Sequence, residues 1–254
     1  MDNTKSNKVI FFDCYQTLID IQIDKEQKQA NEQKAWEKLA FLLKERGIPT
    51  DTSTFVDLLE KRKANFYATR DKKFYHHNFY ALVEAVIKND LKADISADDL
   101  AALIYEYRKI ARGYARLYPK VADALAKLAQ EYTLAIASYT QASFTQSELR
   151  ELNIEQYFSY FIYSSEIGIH KEPPGFYEEC LRVVGEDAKD CVMIGDHYRE
   201  DILSSRKIGL NAIWVRNPAT LSKFADIGVV EAGYTIALED FDTLPDLIAR
   251  IFTE

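Results

Sequence analysis

Lys8-Val9-Ile10-Phe11-Phe12-Asp13-Cys14-Tyr15-Gln16-Thr17-Leu18 is the stretch on which the fold turns. Four β-branched or aromatic residues in a row read as a short strand buried on both faces, and the run stops at a carboxylate followed by a polar turn. Asp13 is thereby placed at a strand's carboxyl end, the edge where open α/β sheets bind their ligands. Tyr15 occupies the position two residues on, where a second acid could have stood.

Similar runs recur at Thr133 to Ser138, Tyr160 to Ser165, Asp190 to Gly195, Asn211 to Val215 and Tyr234 to Leu238. Between them lie stretches of helical periodicity at Ser143 to Leu152, Pro174 to Val184, Glu200 to Ile208 and Leu244 to Phe252. Strand and helix alternating in this way build parallel sheets, so the expected fold is α/β, a doubly wound three-layer sandwich with a Rossmann-like core.

Between the first strand and the helix at Val121 to Glu131 lie about 90 residues, 21–112, that carry helical spacing with no convincing strand. Trp36, Leu39, Ala40 and Leu43 share one face, as do Phe55, Leu58 and Leu59. Phe79, Leu82, Val83, Val86 and Ile87 form a third stripe, and Leu100, Leu103, Ile104 and Tyr107 a fourth. Ser96 with Asp99 resembles a capping box opening the last helix. The expected division is therefore residues 1–20 and 113–254 as the α/β core, with residues 21–112 as an inserted α-helical bundle that caps the ligand edge.

A chain of 254 residues with net charge -8 buries a full core and is unsuited to neutralising a phosphate backbone, which argues against nucleic acid as partner. The excess is uneven. Residues 21–112 hold 17 basic and 15 acidic side chains, the remainder 15 and 25. Cys14, Cys180 and Cys191 have neither disulfide-framework nor zinc spacing. With a polar Met1 to Lys8 and no apolar run of about 18 residues, a cytoplasmic protein away from membranes is expected.

Four strand ends converge on one edge: Asp13, Ser138 with Tyr139, the segment around Lys171, and Asp196 in Gly195-Asp196-His197-Tyr198-Arg199-Glu200-Asp201. Asp13 alone could be a helix cap, and Asp201 alone could answer a helix dipole. Together they make a site. Facing carboxylates repel unless a cation lies between them, and Mg²⁺ suits carboxylates plus a backbone carbonyl. Asp13, the Tyr15 carbonyl and Asp196 are the expected ligands, with Asp201 orienting the metal's waters. Lys171 could neutralise the nucleophile and an incoming anion, and Ser138 adds a neutral donor.

These residues resemble the haloacid dehalogenase superfamily of aspartate-nucleophile hydrolases. The motifs occur in order: Asp13 with Thr17 and Leu18, Ser138, Lys171 with Pro173, and Gly195-Asp196 with Asp201. The resemblance implies at least five parallel strands, a C1-type helical cap, and attack by Asp13 to give a covalent aspartyl intermediate, with Ser138 and Lys171 assisting. Tyr15, Thr17, Tyr139 and Tyr177 are the side chains expected to meet substrate, although an inward aromatic such as Tyr177 also suits a core.

The family's phosphatases carry an acid where this chain has Tyr15, and dehalogenases of 2-haloacids often carry Tyr there. Asp196 is phosphatase-like. The expected activity is a Mg²⁺-dependent phosphatase of a small anionic, phosphorylated metabolite with Tyr in place of the general acid. A 2-haloacid dehalogenase is the alternative, and a weakly active or non-catalytic binding protein the third. Lys61 to Tyr80 mixes six basic residues with aromatics, His76 and His77, and reads either as a grip on an anionic or aromatic substrate or as a helix junction.

Overall fold

A computed structural model of the chain describes residues 6–22, 25–172, 175–225 and 233–254. Six parallel strands form one sheet: β1 (Val9–Phe12), β4 (Thr133–Ser138), β5 (Tyr160–Tyr163), β6 (Cys191–Gly195), β7 (Asn211–Arg216) and β8 (Tyr234–Ala237). Their spatial order is β5-β4-β1-β6-β7-β8. The chain winds from β1 towards β5, then restarts at β6 on the other side of β1 and winds outward to β8. The switch point beside β1 is where such sheets open a crevice at their carboxyl ends.

Alternate residues of the central strands feed two cores. Ile10, Phe12, Leu134, Ile136, Val192 and Ile194 pack against Val121, Leu125 and Leu128 of α5 (Val121–Glu131) and against Leu244, Ile248 and Ile251 of the C-terminal helix. Phe11, Ala135, Ala137 and Met193 face the other way, onto Phe176, Tyr177 and Cys180 of α8 (Gly175–Val184). Each fully buried Leu, Ile or Phe contributes about 1.5–3 kcal/mol. A one-residue register slip would exchange the two faces, so the pairing of Phe12 with both Ile136 and Ile194 is firmly specified.

The insertion is helical as expected: α1 (Lys25–Glu45), α2 (Thr52–Tyr67), α3 (Phe79–Ala85) with a π-helical turn to Asp90, and α4 (Ala97–Ala111). It has its own core of Leu39, Leu43, Phe55, Leu59, Val83, Ile87, Leu103 and Ile104. Ser96 caps α4, its hydroxyl accepting the Asp99 amide at 3.1 Å.

The absence of strands around the insertion does not hold. β2 (Ile19–Gln22) and β3 (Tyr114–Leu117) form an antiparallel ribbon that pairs Ile19 with Leu117 and closes the excursion at its base. The expected boundary after residue 20 falls inside β2. Each strand has four residues and its partner lies nearly a hundred positions away, so local periodicity carries no trace of the pair. The run expected at Tyr160 to Ser165 ends at Tyr163, and the helix expected from Glu200 is a π-helical turn, Tyr198–Leu203, passing into Ser204–Arg206. Pro173 and Pro174 lie outside the described residues.

Candidate active site

β1 lies between β4 and β6, so Asp13 leaves the sheet flanked by Ser138 at the end of β4 and by Asp196 just past β6. The Asp13 amide donates to the Ile194 carbonyl at 2.8 Å, which fixes where its side chain emerges. Asp13 Oδ1 accepts two bonds, from Ser138 Oγ at 3.0 Å and from Lys171 Nζ at 2.6 Å. Among the described residues nothing donates to Oδ2. Lys171, 1% exposed, also donates to Asp201 Oδ1 at 2.7 Å.

Asp201 is held beneath Gly195. Its Oδ2 accepts the His197 amide at 3.0 Å, and a Cβ on residue 195 would sit 2.2 Å from that oxygen. Glycine is required there by the close approach of a side chain. Thr17 Oγ1 donates to Asp196 Oδ1 at 3.2 Å, and Trp214 Nε1 donates to the Asp196 carbonyl at 2.9 Å. Thr17 is fully buried and orients this carboxylate.

Asp13, Asp196 and Asp201 bring carboxylate oxygens within 4.8 Å of one another, all three buried. Three carboxylates against one ammonium leave two surplus negative charges when all are ionised. Burial, then the Asp13 and Asp201 charges, push the Asp196 pKa up to about 8. Burial and Asp13 raise Asp201 to about 6 against the pull of Lys171. Burial alone would lower Lys171, but Asp13 and Asp201 outweigh it and hold the ammonium above its ordinary range. Hard oxygen donors carrying this surplus fit a small divalent cation.

Tyr15 is tied away from this group. Its hydroxyl donates to Glu148 Oε2 at 2.5 Å and lies 3.0 Å from Thr145 Oγ1, both on α6 (Ala142–Glu151). Arg108 of α4 completes the cluster, with Nε 2.7 Å from Glu148 Oε1 and its guanidinium 4.9 Å from the Phe144 ring. Arg112 lies 3.1 Å from the same carboxylate oxygen. Burial and the neighbouring Glu148 carboxylate raise the Tyr15 pKa far above that of a free phenol. Next to it, Gln16 adopts φ 63°, and Asn217 and Tyr118 bond its carbonyl and side chain.

The other expected substrate residues separate. Tyr139 is 38% exposed, its ring between His76 at 4.4 Å and His170 at 4.2 Å. Tyr177 is fully buried against Phe176 and donates to the Glu200 carbonyl at 2.9 Å, so its hydroxyl is spent inside the core. Within Lys61 to Tyr80, residues 68–78 form a loop that docks on the core. The His76 amide donates to the Gly168 carbonyl at 2.9 Å, and the His170 amide to the Phe74 carbonyl at 3.0 Å. His76 is buried, with Ser164 and Gln141 on its two ring nitrogens, and burial pushes its pKa down to about 3.

Glu148, Arg108 and Gln141 were not visible as site neighbours in the sequence. Their signal is weak, since Glu148 and Arg108 sit in helices where an exposed i,i+4 charge is the ordinary reading. Only the docking of α4 on α6 buries them together.

The model of the haloacid dehalogenase-like hydrolase family matches residues 7–209. A glyceraldehyde 3-phosphate phosphatase from Pyrococcus abyssi is 26% identical over 211 residues, 82% of this chain and 81% of that protein. Among solved structures, a 2-haloacid dehalogenase from Pseudomonas syringae superposes with a TM-score of 0.62 at 22% identity, covering 96% and 98% of the two chains. YfnB from Bacillus subtilis, a HAD-hydrolase bound to magnesium, gives 0.51 at 19% identity over 90% and 93%.

Proposed function

The chain belongs to the haloacid dehalogenase-like hydrolases, and from that premise we propose that it is a Mg²⁺-dependent phosphatase of small phosphorylated metabolites, with Asp13 as its nucleophile. The observation that carries this is the single-sided engagement of Asp13. Ser138 and Lys171 both hold Oδ1 and leave Oδ2 for attack on phosphorus. As the Oδ2–phosphorus bond forms, the bond to the leaving oxygen breaks, and water then cleaves the aspartyl phosphate. Lys171 lowers the repulsion between carboxylate and phosphoryl group, while the single Ser138 hydroxyl proton steadies Asp13 Oδ1.

Asp13, Asp196 and the Tyr15 carbonyl would hold the cation, with Asp201 behind them. When bound, Mg²⁺ supplies charge neutralisation for the phosphoryl oxygens. The P. abyssi relative's name supports phosphoryl chemistry, and the surplus charge at Asp13, Asp196 and Asp201 supports a metal-dependent rather than a metal-free reaction.

Tyr15 is the feature favouring a 2-haloacid dehalogenase, since halide leaves without a proton. Asp196 opposes it, because three clustered carboxylates without a cation would repel an anionic haloacid. Phosphate release from a panel of small phosphorylated compounds, with and without chelator and in Asp13→Asn, separates the readings. Release that needs Mg²⁺ and vanishes in the variant is expected. Release that survives chelation would reject the proposal, as would metal-independent halide release unaffected by Asp196→Ala.

A further inference from the structure

The side chain two residues past the nucleophile has no proton to spare. Tyr15 donates to Glu148 Oε2 at 2.5 Å, and Glu148 is wholly buried, paired with Arg108 and Arg112. Turning the hydroxyl towards Asp13 would strip that carboxylate of a charge-assisted bond and move an aromatic ring out of its packing. Arg108 comes from the insertion, so the lock is in place whenever α4 lies on α6.

Two other donors beside the acids are committed as well. Lys171 serves Asp13 and Asp201, and Thr17 serves Asp196. Both ring nitrogens of His76 are bonded. The Nε2 of His170 has no partner among the described residues, but its ring lies on Tyr139 and burial lowers its pKa, so at neutral pH it is an uncharged imidazole and a poor acid.

In transfer to Asp13 the leaving oxygen departs with the electron pair of its bond to phosphorus. An alkoxide needs a proton at that moment; a carboxylate does not. Resting on the phosphatase reading above, we propose that this site takes acyl phosphates in preference to alkyl phosphomonoesters, because the Tyr15 hydroxyl beside the nucleophile is locked onto Glu148 under Arg108 of the insertion. The first step then exchanges one acyl phosphate for another: the substrate's carboxylate leaves as the Asp13 acyl phosphate forms. In the second, water attacks phosphorus, the Asp13 carboxylate leaves, and both of the water's hydrogens go out on the phosphate as dihydrogen phosphate, which then ionises in solvent. Both half-reactions expel a carboxylate, and neither calls on a protein acid.

The test is a leaving-group series on the full chain with Mg²⁺: acetyl phosphate, nitrophenyl phosphate, phenyl phosphate and glycerol phosphate. The inference expects kcat/KM to fall by at least about 10²-fold from acetyl to glycerol phosphate, the lower range of what a general acid contributes. It also expects acetyl phosphate to add one phosphoryl group to the protein by intact mass. Tyr15→Asp with Glu148→Gln should flatten the series, and the wild-type series decides the matter if that variant fails to fold. Glycerol phosphate turned over within about tenfold of acetyl phosphate overturns the inference and leaves the phosphatase reading standing. Phosphate released from none of the four removes both.

Discussion

Lys171 reaches Asp13 from 158 positions along the chain, its Nζ 2.6 Å from Asp13 Oδ1 and 2.7 Å from Asp201 Oδ1. One buried ammonium thus holds two carboxylates. Lys171→Met should cost about 3–5 kcal/mol, because breaking a buried pair strands its partners. Urea denaturation measures this. A midpoint equal to that of the wild type would mean that water or a rearranged side chain satisfies both acids.

Mg²⁺ should stabilise the protein more at pH 8.5 than at pH 5.5. The folded-state pKa of Asp196 is raised to about 8, so without metal the folded chain holds a proton there that the unfolded chain has lost. That contribution is full below the ordinary carboxylate pKa near 4 and disappears as pH rises through about 8. A cation takes the proton's place at high pH and competes with it at low pH. Thermal melts with and without Mg²⁺ across this window give the difference, and Asp196→Asn should abolish it. A metal-induced shift independent of pH would contradict the assignment.

Glu148→Ala should destabilise by about 3–5 kcal/mol, since Arg108 would be left without its carboxylate at the contact of α4 and α6, while Arg112 keeps only Glu151. Removing Arg108 as well, as Arg108→Met with Glu148→Ala, should recover part of the loss. A double-mutant cycle by urea denaturation reads the coupling. Additive effects would show that the two groups do not act as a pair.

Gly195→Ala should cost about 1–3 kcal/mol by overpacking, because the new Cβ would lie 2.2 Å from Asp201 Oδ2. Asp201 must then move, loosening its bonds to Lys171 and the His197 amide. Mg²⁺ affinity should fall together with stability. A variant equal to the wild type in both melting and metal titration would refute this account of the glycine.

Strand-forming runs with an acid or hydroxyl at their ends were legible because central strands of a parallel sheet are buried on both faces and must be continuously apolar. Asp13 and Ser138 could be found from that pattern alone. The insertion was legible for a similar reason: Leu39 with Leu43, or Leu100 with Leu103 and Ile104, repeat at helical spacing. β2 and β3 were not, because their pairing is a relation between distant segments. Tyr177 has the same residue type as Tyr15 and Tyr139, and its burial in the core follows from where α8 lands on the sheet.

The sequence by itself determined the sheet, the helical insertion and the acids at the strand ends, since these follow from local periodicity and from where an apolar run stops. Tertiary structure alone decided what each acid and tyrosine touches. Lys171 joining Asp13 to Asp201, Asp201 beneath Gly195, and Tyr15 bound to Glu148 under Arg108 are contacts between residues 6 to 158 positions apart in the chain. Hydrogen bonds and buried charges act over a few ångströms, so their partners are set by how the elements pack and leave no period in the chain that encodes them.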